Sequence, residues 1–421
     1  MRQMKNSGIE WVGDIPAEWE THPIYYYFGE RKHKNSLGKE GNLLSLSYGK
    51  VIRKDITSSD GLLPENYNGY NIVEKNDIVL RLTDLQNDKR SLRTGLVKER
   101  GILTSAYVTL RPIKEEFSPF FHYVLHAYDV MKVFYNMGNG VRQGLNFDEL
   151  SKCMLIAPPL SEQKAIAEFL DKKCGEVDAL IADIQQEIET LEQYKRSVIT
   201  EAVTKGLDPS VPMKDSGIDW VQTIPKYWSV HPLYYYFEER KNKNIFAKEQ
   251  NLLSLSYGKI IRKDINASGG LLPENFNAYN IVEPKDIVLR LTDLQNDRRS
   301  LRTGYVNERG IITSAYITLK AKRDIIQEYF YYELHVFDLM KGLYNMGSGV
   351  RQGLNFDELS KLKLFEPSIK EQEDIVIYIK EKEIAINKII ADKQSQIEAL
   401  ESYKKSLIYE YVTGKKEIIV Q

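Results

Sequence analysis

The 421-residue chain predicts an α+β protein: two similar mixed α/β domains separated by two long antiparallel coiled-coil helices, related by a pseudo-two-fold axis. Three observations predict it. The sequence repeats itself at an offset of 209 residues. Each repeat begins with short β-branched runs broken by Gly, Asn, Asp and Pro, and each ends on a long stretch with heptad spacing. A period this long is a duplicated domain rather than a solenoid.

The repeat is visible without gaps. Lys5-Asn-Ser-Gly-Ile-Glu-Trp-Val-Gly-Asp-Ile-Pro16 returns as Lys214-Asp-Ser-Gly-Ile-Asp-Trp-Val-Gln-Thr-Ile-Pro225. Asn42–Lys50 returns as Asn251–Lys259, Arg81–Asp88 as Arg290–Asp297, and Gly140–Ser151 as Gly349–Ser360. One chain with two near-identical domains is suited to a ligand with two equivalent ends.

The elements follow in order. Leu43–Tyr48, Ile78–Leu82, Thr94–Val97 and Ile102–Leu110 read as strands. Pro119 to Tyr135 reads as a helix with one apolar face, stopped by Gly138 and Gly140. No βαβ alternation is present, which argues against a dinucleotide-binding architecture. Pro158-Pro159 ends the first domain, and Ser161-Glu-Gln163 begins a helix reaching about Lys205. Its apolar residues, Ile166, Leu170, Val177, Ile181, Ile184, Ile188, Leu191 and Val198, step by three, four or seven, the seam of a coiled coil. The second helix carries Ile375, Ile379, Ile386, Ile390, Ile397, Leu400 and Leu407, with Lys393 in one seam position. A helix of this kind makes a rod of about 65 Å at ~1.5 Å per residue. Each rod has one apolar stripe and no internal partner, so the two are expected to pack antiparallel and space the domains. The domains are therefore placed at 1–158 and 207–367, with spacer helices at 159–206 and 368–421.

Composition sets bounds. The chain is 42% hydrophobic and 28% charged, ordinary for a soluble protein. It has no apolar leader and no run of the ~18 apolar residues that a membrane span needs, so a cytoplasmic, membrane-free location is expected. Cys153 and Cys174 face Leu362 and Glu383 in the other repeat, which argues against a required disulfide or metal site. The net charge of −1 is unevenly spread. Residues 1–158 carry 21 basic and 19 acidic side chains and residues 207–367 carry 22 and 20, whereas the segments 159–206 and 368–421 carry 6 and 10, and 9 and 10. The excess is small but lies on the domains, the side that suits a polyanion.

Catalytic patterns are missing. There is no phosphate-cradling Gly-x-x-x-x-Gly-Lys-Ser/Thr, and Gly138-Asn-Gly-Val-Arg-Gln-Gly144 has the wrong glycine spacing for a dinucleotide fingerprint. His122 and His126 offer two ligands on one helix face, but the second repeat has Tyr331 and His335 there, which favours a structural role. The chain reads as non-catalytic, with no metal or cofactor of its own.

Four polar patches hold between the repeats. The first is Ser45, Ser47, Tyr48, Lys50, Arg53 and Lys54, matched by Ser254, Ser256, Tyr257, Lys259, Arg262 and Lys263. The second is the loop Arg81 to Arg93 with Gln86, Asn87, Lys89 and Arg90, matched by Arg290, Gln295, Asn296, Arg298, Arg299 and Arg302. The third is Thr104 and Ser105, matched by Thr313 and Ser314; the fourth is Arg142, Gln143 and Asn146, matched by Arg351, Gln352 and Asn355. Arg and Lys pair with guanine edges, Asn and Gln with adenine, and Lys, Ser and Thr suit phosphates. These residues are the candidate DNA-binding set.

The same stretches resemble the specificity subunit (HsdS) of type I restriction–modification systems. The resemblance is carried by Ser7-Gly-Ile-Glu-Trp-Val-Gly-Asp-Ile-Pro16, by Arg142-Gln-Gly-Leu-Asn-Phe147 and by Pro158-Pro-Leu-Ser-Glu-Gln163. It covers the whole chain, in the order target-recognition domain, helix, target-recognition domain, helix. The second helix start, Glu366-Pro-Ser-Ile-Lys-Glu-Gln372, departs by losing one proline and the serine before Glu371. The resemblance implies a subunit that reads double-stranded DNA and has no catalytic site. Two modification subunits would dock on it to methylate adenine with S-adenosylmethionine, and two restriction subunits using ATP and Mg would join where cleavage occurs. Members commonly carry dissimilar recognition domains. Two near-identical ones imply an interrupted-palindrome target, with Ser36-Leu-Gly38 against Ile245-Phe-Ala247, Asn139 against Ser348 and Lys89 against Arg298 as the differences able to alter base preference.

Two other readings are open. A coiled-coil scaffold whose paired heads bind protein predicts no sequence-dependent retardation of DNA. A self-sufficient methyltransferase would need an Asn/Asp-Pro-Pro-aromatic motif, which Ala157-Pro-Pro-Leu160 is not.

Overall fold

A four-stranded antiparallel sheet is the platform of each repeat. In the first, its order is Phe28–Glu30, Val108–Pro112, Ile78–Leu80, Thr94–Leu96; in the second, Phe237–Glu239, Ile317–Ala321, Ile287–Leu289, Thr303–Tyr305. The computed structural model describes residues 2–55, 66–85, 92–137, 144–265, 275–294, 301–346 and 353–418. The chain divides into one unit of residues 1–185 with 394–421 and another of residues 186–393.

The inner strand Ile78–Leu80 is buried throughout, because both sheet faces are covered. Side chains alternate across a strand, so Ile78 and Leu80 enter one apolar cluster while Val79 enters another with Leu44, Val73, Val97 and Leu103. The first cluster is roofed by the helix Ser118–Val130, which buries Phe120, Phe121, Val124, Leu125 and Tyr128. That helix is shorter than predicted. It stops at Met131 because Lys132 adopts φ 60°, and a 3₁₀ turn, Val133–Asn136, follows. The run Ile102–Leu110 is also broken. Gly101–Leu103 pairs with Asn71–Val73, whereas Val108–Pro112 joins the main sheet, and Tyr107 N donates to Thr104 O at 3.3 Å in the turn between them.

Short strands missed by periodicity close each domain on itself. Glu20–Pro23 pairs with Met154–Ala157, and Ser229–Pro232 with Lys363–Glu366. This seats Trp19, fully buried, where its indole donates to Glu162 Oε2 at 3.0 Å; Trp228 does the same to Glu371 at 3.1 Å. Gln163 and Gln372 turn back to donate to the carbonyls of Pro158 and Pro367, each at 2.9 Å. The Glu-Gln pair that begins each long helix is therefore a lock between helix and domain, and it relieves carbonyls just before the helix starts.

Those helices are Leu160–Lys205 and Ile369–Val412, of 46 and 44 residues. Each unit contains a segment of both, running antiparallel. In the first, Phe169 meets Tyr411 with ring centroids 4.5 Å apart and Asp178 pairs with Lys404. In the second, Glu187 pairs with Lys393, and Lys195 donates to Asn387 at 3.0 Å. Lys393, the polar residue in the seam, thus keeps its ammonium on a carboxylate while its stem stays half-buried. Seam residues Ile166, Leu170, Val177 and Ile184 are buried, as are Ile375, Ile379, Ile386 and Ile397. Ile166 and Leu170 share the first domain core with Leu407 and Val412, so the helix ends are part of that core as well as of the coiled pair. No described helix is long and apolar enough to cross a membrane.

Candidate nucleic-acid interface

Strand register brings the polar patches together. Val108, Leu80 and Thr94 lie opposite one another across three neighbouring strands. The chain therefore leaves the sheet at Arg81 and re-enters it at Arg93 at the same end as the Thr104–Tyr107 turn. Ile317, Leu289 and Thr303 repeat this in the second domain. Leu145 N donates to Leu82 O at 3.0 Å, and Leu354 N to Leu291 O at 2.9 Å, so the chain emerging from the fourth patch is bonded to the second.

The first patch sits on a hairpin, Leu44–Ser47 with Lys50–Arg53, that packs across the outer strand. Gly95 makes this possible: a Cβ there would meet Leu46 Cδ1 at 2.5 Å, and one at Gly304 would meet Leu255 Cδ1 at 2.6 Å. The hairpin tip lies beside Leu92, 3.2 Å from where a Cβ of Gly49 would stand. Among the described residues, the hairpin tip, Arg81, Arg93, the Thr104–Tyr107 turn and Leu145 thus meet at one end of the first sheet, while Arg53 lies at the other end of its hairpin beside Glu99.

The individual residues differ in what they offer. Tyr48 and Tyr257 are exposed at 81% and 77%. Lys54, Lys259 and Lys263 are exposed, and Ser45, Ser47, Ser254 and Ser256 are half-buried on their strands. Arg53 is exposed but paired with Glu99 through Nε–Oε1 at 2.6 Å, and Arg262 with Glu308 at 2.7 Å. Lys50 reaches Asp178 of the long helix at 2.9 Å, while the equivalent helix position in the second repeat is Asn387. Arg81 and Arg290 are half-buried at the loop base. Gln86, Asn87, Lys89, Arg90, Arg142, Gln143, Gln295, Asn296, Arg298, Arg299, Arg351 and Gln352 lie outside the described residues.

Two expectations need correcting. Arg93 and Arg302 are fully buried and present nothing at the surface. The Arg93 guanidinium donates to the carbonyls of Arg81 at 3.1 Å, Thr83 at 2.8 Å and Asp84 at 3.3 Å, and to Tyr135 Oη at 3.0 Å. Arg302 repeats the set on Arg290, Thr292, Asp293 and Tyr344. A five-donor planar group is the one side chain able to gather so many carbonyls, and here it staples the base of the polar loop. Asn146 and Asn355 are helix caps: each side chain accepts from the amide three residues on, and Glu149 and Glu358 complete the box. Their retention between repeats has a local structural cause.

Sequence reasoning missed the supports. Asp129 and Asp338 accept from the amides of Arg93 and Arg302, and Asp77 and Asp286 pair with Arg31 and Arg240. Burial raises Asp77 and Asp286 above the usual carboxylate range despite these arginines. Their repetition at the same offset was the available signal. Burial, with His126 next, pushes His122 down to about 3; burial, with nearby Lys404 and Arg196 respectively next, pushes His126 and His335 down to about 4. All three are held neutral inside their domains.

The described geometry is a sheet end with an exposed tyrosine, serines and lysines, from which the chain runs into segments whose sequence is rich in Gln, Asn, Arg and Lys. Residues 29–190 match the type I restriction modification DNA specificity domain family. The putative type I restriction enzyme MjaX specificity subunit of Methanocaldococcus jannaschii is 25% identical over 96% of this chain and 95% of its own length. The MjaVIII specificity subunit of the same organism is also 25% identical, over 82% and 80%. A chain solved in work on complex assembly and conformational transition of the type I R-M system shares the fold, with a TM-score of 0.65 over 96% of this chain and 99% of its own, at 11% identity. Residues 29–190 thus match the type I restriction modification DNA specificity domain, and most of the chain is similar in sequence to type I specificity subunits.

Proposed function

We propose that this chain is the non-catalytic, DNA-reading subunit of a type I restriction–modification complex, and that its target is an interrupted palindrome. The observation that carries the reading is that the hairpin tip, the described ends of the second patch and the Thr104–Tyr107 turn meet at one sheet end, and that the same register recurs in the second repeat. The described lysines and hydroxyls there suit phosphates, and the adjoining stretches of sequence carry Gln, Asn and Arg, the side chains that read base edges. Two modification subunits supply S-adenosylmethionine-dependent adenine methylation; ATP and Mg belong to restriction subunits. The modest charge of this chain is compatible with that division, because partner chains share the phosphate contacts and the base flipping. Near-identical readers select near-identical half-sites.

Single-molecule methylome sequencing of cells that express this chain with its modification subunits tests the reading. The expected result is one methylated motif whose two halves are inverted copies separated by a fixed gap. Two unrelated half-sites would overturn the palindrome. Absence of any new methylated motif, with no sequence-dependent DNA retardation by the complex, would favour a protein-binding scaffold instead.

A further inference from the structure

The tips of the two hairpins carry a residue the fold does not want there. Ser47 pairs with Lys50 and Ser256 with Lys259, so each hairpin closes through a two-residue turn, Tyr48-Gly49 and Tyr257-Gly258. Both central residues have positive φ: 44° and 77° in the first, 46° and 78° in the second. This geometry prefers Asn-Gly, since Asn tolerates the left-handed region and a bulky aromatic residue does not. Packing gives no compensation. Each ring is more than three-quarters exposed, and among the described residues neither stacks on another ring nor hydrogen-bonds through its hydroxyl.

Other exposed aromatic residues do not share this combination. Exposed Tyr26 is stacked on His22 at 4.2 Å, and its half-buried counterpart Tyr235 on His231 at 4.3 Å. Phe246 is exposed with φ 66°, but its counterpart is Leu37, so the feature does not repeat. Among the described residues, only at the hairpin tips do strain, exposure and an aromatic ring recur together. Strained, over-determined positions of this kind cluster at ligand contacts.

We infer that Tyr48 and Tyr257 are base-stacking residues, each ring laid on the face of a base at an opened step of the target duplex. The inference rests on the DNA-reading role and specifies the contact. A ring on a short rigid turn is a stacking platform that loses little freedom on binding, and it accepts any base because every base has a π-face. Lys259 at the shoulder of the second turn is exposed toward the neighbouring phosphate, whereas Lys50 at the first is held on Asp178. These tips therefore add affinity, while base identity is read by the polar loops.

The test uses the full chain with its modification subunits, as wild type and as the double variants Tyr48→Asn/Tyr257→Asn and Tyr48→Phe/Tyr257→Phe. The probes are a duplex carrying the mapped methylated motif and one with both half-sites scrambled. The Asn variant is expected to melt no lower than wild type, because Asn suits the turn, yet to bind the motif at least tenfold more weakly; stacking is worth about five- to hundredfold per ring. The Phe variant is expected to stay within about twofold of wild type, since it keeps the ring. Unchanged affinity in the Asn variant overturns the inference, and so does an equal loss in the Phe variant, which would make the hydroxyl the contact. Failure of the wild-type complex to prefer the motif over the scrambled duplex would remove the DNA-reading role and this contact with it.

Discussion

Arg93 and His122 show how one side chain can hold a fold without touching a ligand. Arg93 is a buried cation whose hydrogens are spent on the carbonyls at the base of the polar loop. Arg93→Met would leave those carbonyls unsatisfied, and urea unfolding is expected to show a loss of about 2–4 kcal/mol. Lys54→Met, on the exposed face, should stay within about 0.5 kcal/mol. His122 is pushed down to about 3, so folding holds it neutral where the unfolded chain would protonate it. A histidine lowered in the folded state is neutral in both states above pH ~6.5, and stability is lost as pH falls below that value toward the folded pKa. His122→Tyr, the residue found at position 331 of the second repeat, should remove one of these protons. The melting temperature of the variant is then expected to fall less than that of wild type between pH 7 and pH 4.5. A parallel fall in both would mean that His122 does not take up a proton on unfolding.

The elements show which patterns survive folding. The inner strands were legible because both sheet faces are buried and the run is continuously apolar, as at Ile78–Leu80. Glu20–Pro23 was not, since a short polar strand whose only task is to meet Met154–Ala157 has no periodicity to read. Helix ends moved for local reasons. Lys132 takes a left-handed conformation ahead of the glycines that seemed to mark the stop. The hairpin depends on the smallest residue in its neighbour. Gly95→Ala places a methyl 2.5 Å from Leu46 Cδ1, so the hairpin must lift or Leu46 must leave its rotamer. Overpacking of this kind is expected to cost about 1–3 kcal/mol and to speed protease cleavage within residues 44–53, with the cut sites read by mass spectrometry. Unchanged stability and cleavage would show that the hairpin packs elsewhere.

At the scale of the whole molecule the repeat itself makes a prediction. The domains match in sheet order, in hairpin turn, in arginine staple and in helix cap. They differ at many positions, in the core as at Val124 against Glu333 and at the surface as at Asp178, which holds Lys50, against Asn387. A chimera in which residues 29–157 are replaced by 238–366 is expected to methylate the same motif as the natural chain, by methylome sequencing. A changed half-site would assign base preference to the replaced differences, with Lys89 against Arg298 the first to revert. The sequence alone determined the duplication, the family resemblance and the long heptad helices, because these are written in spacing and in contiguous motifs. It also marked the polar residues worth suspecting. Only the tertiary structure decided which of them face outward, because burial depends on partners distant in the chain. Arg93 and Arg53 look alike as letters, yet one is enclosed by carbonyls of its own loop and the other stands on an exposed strand beside Glu99.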